Sequence, residues 1–123
     1  MQMAISESDI EQQFLKIALR RSEFLRRNEP KKANKEFDSL DRILAEMRQM
    51  PDRGEAALKR IAAATNDGEV QIAAAAGLLS LDEPHAIELL EKIAARPNGG
   101  LVSFTAEMTL SEWRKGGMQS YRT

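Results

Sequence analysis

Apolar residues recur every three or four positions along most of the chain, and no stretch alternates apolar with polar for long enough to predict a strand. The pattern predicts an all-α protein of six helices. The first runs from about Asp9 to Arg27 and places Ile10, Phe14, Ile17, Ala18, Phe24 and Leu25 on one face, while Ser8 followed by Glu11 has the form of a capping box. Asn28-Glu29-Pro30 ends it. A second helix, Pro30 to Gln49, carries Ala33, Phe37, Leu40, Leu44 and Met47 as a tight stripe expected to enter the core. Met50-Pro51 stops that helix, because the residue before proline is disfavoured in helical conformation.

Asp52 with Glu55 caps a third, shorter helix reaching Thr65, and Asn66-Asp67-Gly68 forms the turn after it. The fourth helix, Glu69 to Leu81, contains Ala73 to Gly77, a block that is small and apolar on every side. Such a helix has neighbours in more than one direction, which predicts a central position. Pro84 opens a fifth helix to Arg96 with Ile87, Leu90, Ile93 and Ala94 inward. Pro97-Asn98-Gly99-Gly100 breaks the chain, and the sixth helix, Leu101 to Lys115, is closed by Gly116-Gly117. The expected organisation is one domain over residues 9–115 followed by a C-terminal tail, 116–123.

A shift of 32 residues lays Leu58–Leu81 over Leu90–Trp113, with nine of 24 pairs identical. The matches fall on turn positions (Asn66/Asn98, Gly68/Gly100) and on positions expected to face inward (Leu58/Leu90, Ile61/Ile93, Val70/Val102, Ala74/Ala106, Leu78/Leu110), and they include Ala62/Ala94 and Ala63/Ala95. Each unit is thus a helical hairpin that cannot bury its apolar face alone and must stack on the next. The first two helices form a longer hairpin without such matches, as an atypical terminal unit would.

On these residues the sequence resembles HEAT-like α-solenoid proteins, and in particular a family of small bacterial proteins catalogued as a domain of unknown function. The likeness lies in Ala33 to Leu40 on the second helix and in Leu58, Ile61, Asn66, Val70, Ala73 and Ala74, and it spans about residues 10 to 115. It implies a HEAT/armadillo-like right-handed superhelix of three hairpins. It carries no catalytic residue with it. The 32-residue unit is shorter than the roughly 40–47 residues of ordinary HEAT and armadillo units, and no proline kinks the first helix of a pair.

Composition narrows the chemistry. The 123 residues are 42% apolar and 30% charged, with 18 Lys+Arg against 19 Asp+Glu and a formal net charge of −1. A globally basic nucleic-acid binder and a disordered chain are therefore poorly supported. No cysteine is present, which removes disulfides, thiol catalysis and Cys-ligated metal, and one histidine removes most imidazole-based designs. Asp82-x-x-His85 has the spacing of a carboxylate–histidine metal pair, but Asp82 is better placed as a helix cap and His85 in the first exposed turn. Asp38 with Asp41 and Glu88 with Glu91 are three apart and are expected on solvated faces. No phosphate loop, nucleophile elbow or calcium loop is found. No catalytic residue, metal or cofactor is therefore expected. No window is apolar enough to span a membrane and no secretory signal is visible, so a cytoplasmic location is expected.

Charge is unevenly distributed. Lys16 to Lys35 holds eight basic residues against Glu23 and Glu29, whereas Ile61 to Glu91 holds six acidic residues and no Lys or Arg. Lys16, Arg20 and Arg27 share one side of the first helix, and Lys31, Lys32 and Lys35 extend it as a basic ridge; a solvated outer face is the plainer reading. Trp113 sits where a terminal unit must either close its core or meet a partner. The reading that results is a non-enzymatic helical-repeat module that binds an as yet unknown protein, of immunity or adaptor type; nucleic-acid binding through the ridge is the alternative.

Overall fold

The computed structural model describes residues 7–122, and Ser8 to Arg122 with their side chains. Six helices follow one another: α1 (Glu7–Arg26), α2 (Pro30–Met47), α3 (Glu55–Ala64), α4 (Gly68–Leu78), α5 (Glu83–Ala94) and α6 (Gly100–Arg114). No strand occurs among the described residues. A single-turn 3-10 helix, Gln119–Tyr121, follows α6.

Connections of three residues (27–29), three (65–67) and five (95–99) fold the helices back on each other as α1 with α2, α3 with α4 and α5 with α6. α4 also packs against α1, α5 and α6, and ten of its residues are buried, so it is the axis of the molecule. Its small side chains are what allow that many neighbours. At Gly77 an added Cβ would stand 3.0 Å from methyl carbons of both Leu44 and Leu58, so glycine lets α2 and α3 approach there. Phe14, Met47, Leu58, Ile61, Leu78, Leu90 and Ile93 fill the spaces around this axis with almost no exposure.

The repeat positions behave alike in part, since Asn98 and Gly100 take positive φ where Asn66 and Gly68 do not. Ala74 and Ala106 are both fully buried, and α4 and α6 each begin at the matching glycine, Gly68 and Gly100. Local punctuation works as the sequence implied at several points. Asp67 caps α4 by accepting from the amides of Glu69 and Val70, and Asp82 caps α5 by accepting from His85 N. Gly116, at a φ of +87°, closes α6: its N–H and that of Gly117 donate to the carbonyls of Trp113 and Glu112.

Three expectations change. The chain is already helical at Glu7, so Ser8 lies inside the first turn of α1 and does not cap it. Asp52 is not at the N-cap position of α3, which Gly54 occupies, yet its carboxylate still accepts from the amides of Gly54 and Ala56. Phe37 does not enter the core: it is 39% exposed, because α2 is covered on its Ala33–Leu40–Leu44–Met47 side and Phe37 stands at the edge of that side.

Candidate functional site

Residues 116–122 fold back against the body, where Met118 and Tyr121 pack on the core. Arg122 holds them there. Its guanidinium lies 3.7 Å from the centre of the Trp113 ring and donates to the carbonyls of Gly117 and Trp113. Trp113 itself is buried, and its indole N–H donates to Glu83 Oε2 at 2.5 Å, joining α6 to the start of α5. Buried, with its polar edge satisfied, the ring packs as a core residue of the α5–α6 hairpin.

The basic ridge is partly neutralised by its own neighbours. Arg20 pairs with Glu36 at 3.3 Å, Arg27 with Glu23 at 2.9 Å, and Lys32 with Glu29 at 3.1 Å while also lying 5.7 Å from the Phe24 ring centre. Lys16, Lys31 and Lys35 are exposed and unpaired among the described residues. Glu23 is shared with Arg26, at 2.7 Å, which also reaches Asp67 at 3.1 Å and Ser22 at 2.9 Å.

The most distinctive surface feature lies elsewhere. Among the described residues five large apolar side chains are exposed, and four of them, Phe37, Leu101, Phe104 and Met108, border one groove of about 410 Å³. α2 supplies one wall through Phe37, Leu40 and Leu44. α6 supplies the other through Leu101, Phe104 and Met108, spaced three and four apart on one side of the helix. The floor is α4, where Ile72, Ala73 and Ala76 keep the groove deep, and Met118 and Tyr121 stand among its lining.

Two charges lie at the floor. Arg21 stacks 5.4 Å from the Phe37 ring centre and approaches Glu69 at 3.6 Å, with its Nε buried and without a hydrogen-bond partner. Burial drives the Glu69 carboxyl above its ordinary value; Arg21 opposes this and neighbouring Asp67 adds to it. At the α2 rim Asp41 is likewise raised, first by partial burial and then by repulsion from Asp38, with Arg48 opposing. Arg48 lies 6.0 Å from the Tyr121 ring centre. Among the described residues no group of three or more His, Asp or Glu side chains gathers to hold a metal ion, and no helix is long and apolar enough to cross a membrane.

The sequence contained one signal for this groove. Under the 32-residue shift Leu101, Phe104 and Met108 align with Glu69, Ile72 and Ala76, the residues of α4 that form the floor. The same helix side therefore carries its bulkiest apolar residues on α6, where the described residues leave them exposed. Comparison of the chain with family models, with curated proteins and with solved structures returned no match.

Proposed function

We propose that the protein is a non-enzymatic, helical-repeat binding module, its three hairpins stacked as a short HEAT-like right-handed superhelix, and that the groove between α2 and α6 receives another protein. One observation carries this reading: four of the five exposed large apolar residues line a single groove instead of being scattered. Isolated exposed apolar side chains are ordinary, whereas a contiguous patch marks an interaction face. Phe104 and Leu101, 56% and 66% exposed, are placed to act as anchors, and full burial of such a side chain contributes about 1.5–3 kcal/mol. An immunity-type or adaptor role in the cytoplasm would use this face to occlude or recruit its partner.

The alternative, nucleic-acid binding on the ridge of α1 and α2, is weakened by the internal pairs of Arg20, Arg27 and Lys32, which leave Lys16, Lys31 and Lys35 to meet phosphates. Site-specific photo-cross-linking separates the two. A benzophenone side chain in place of Phe104 is expected to yield a discrete protein adduct in the source cells, and one in place of the well-exposed Lys92 on α5 is not. Equal adducts at both positions, or none at Phe104, would overturn the proposal.

A further inference from the structure

The groove has a shape and a charge pattern that together specify its occupant. The α6 wall from Leu101 to Glu112 spans about 16 Å at 1.5 Å per residue, the length of three helical turns. Its lining is apolar apart from Arg21, Glu69, Glu112, two threonines and the Tyr121 hydroxyl, and the backbone groups of α2, α4 and α6 are largely used within their own helices. An extended peptide laid here would find few partners for its own N–H and C=O groups. A helix brings its backbone already satisfied and presents one apolar stripe, which suits two helical walls over a floor of Ala73 and Ala76.

The rim is acidic. Glu112 on α6 lines the groove, and on α2 Asp38 and Asp41 directly follow the lining residues Phe37 and Leu40, Asp41 lying close enough to the lining Tyr121 to act on its hydroxyl; none of the three carboxylates has an ion pair among the described residues. Arg21 is engaged with Phe37 and Glu69, Arg48 with the Tyr121 ring and Arg42 with the Ser39 hydroxyl. The Asp41 carboxyl is raised first by partial burial and then by Asp38, with Arg48 only partly opposing, so a further cation there would meet a negative neighbourhood. A second copy of the chain docked symmetrically would set these carboxylates against one another, and a lipophilic acid would meet the same repulsion.

We infer that the groove takes an amphipathic helix of a partner protein, about three turns long, with its apolar stripe on α4 and α6 and Lys or Arg flanking that stripe on both sides. The inference rests on the groove being a protein-binding face and adds the chemistry of what enters it.

The test is a display library of 14-residue helices in which the apolar stripe varies among Ala, Leu, Ile, Met and Phe and the flanks vary among Lys, Arg, Gln, Ser and Glu. Selection on the full chain is expected to enrich Lys and Arg at the flanks. Recovery is expected to fall more than tenfold on a Phe104→Ser, Met108→Ser variant that retains its helical circular dichroism. Asp38→Lys with Asp41→Lys is expected to move the preference on the α2 side to Glu. Acidic or uncharged flanks, or recovery indifferent to the groove substitutions, would overturn the inference. If the library yields nothing while the cross-linker at position 104 still captures a protein, the helical occupant is wrong and the binding face stands; if cross-linking also yields nothing, both fall.

Discussion

The Ser22 hydroxyl, 1% exposed on α1, lies 3.0 and 2.9 Å from the two carboxylate oxygens of Asp67, the residue that caps α4. One side chain thus ends the turn before the central helix and ties that helix to the first hairpin. Hydrogen bonds to a charged group contribute about 1.5–3 kcal/mol. Ser22→Ala is expected to lower stability by about that amount in chemical denaturation, and Asp67→Ala by more, since it also removes the cap. Asp67→Ala as stable as the parent would show that neither contact matters.

Asp67 and Glu69 are two residues apart and respond oppositely to acid. Burial raises the Asp67 carboxyl, but the Ser22 hydroxyl, the Val70 amide and Arg26 outweigh it and hold the group below its ordinary 3.8. Its stabilising contribution is complete above about pH 5 and is lost as pH falls through the lowered folded value. Glu69 is raised, so its contribution is present below its ordinary 4.5 and is lost as pH rises through the folded value. Glu69→Gln is expected to melt no lower than the parent at pH 7, and Asp67→Asn to melt lower at pH 7 with the difference shrinking toward pH 3. Reversal of either sign in melts across this range would contradict the assignment.

The axis role of α4 has a direct consequence. Ala74 is fully buried among close-packed helices, so Ala74→Glu introduces a charge with no partner and is expected to destabilise by several kcal/mol. Ala63→Glu, at an exposed position of α3, is the control and is expected to be near neutral. Equal melting temperatures for the two variants would remove α4 from the centre.

The ridge prediction concerns salt. With Arg20, Arg27 and Lys32 held by carboxylates, the protein is expected to show no retention on duplex or single-stranded nucleic acid at about 0.15 M salt, where screening acts within about 8 Å. Retention that is abolished by substituting Arg20, Arg27, Lys31 and Lys35 together, with the fold intact, would restore the nucleic-acid reading.

Helix number, order and the hairpin repeat were legible in the chain because periodicity and turn residues are local signals. Asp82 and Gly116 act where the sequence placed them, and Asp67, read only as part of the turn before α4, also caps that helix. Apart from the bulky Leu101, Phe104 and Met108 that the 32-residue shift sets against Glu69, Ile72 and Ala76, the groove was not legible, because a stripe such as Ala33–Phe37–Leu40–Leu44–Met47 shows that a helix side is apolar without showing how much of it a neighbour covers. Here α1 lies along α2, and Gly54 and Gly77 let the next hairpin approach Met47 and Leu44, so four of those five residues are buried and Phe37 is left at the edge. The pairing within the ridge was not legible for a related reason: Glu36, sixteen residues from Arg20, reaches it only once α1 and α2 have folded together.

The central claim is that Leu101, Phe104 and Met108 serve a partner and not the fold. The measurement that tests it most directly is the melting temperature of a Leu101→Ser, Phe104→Ser, Met108→Ser variant set beside its photo-cross-linking yield from position 37. The account predicts a melting temperature within about 4–8 °C of the parent, the range of a 1 kcal/mol change in a domain near this size, together with a yield at least tenfold lower. Loss of the folded state would place these residues in the core after all, and a retained yield in a folded variant would show that the groove is not where the partner binds.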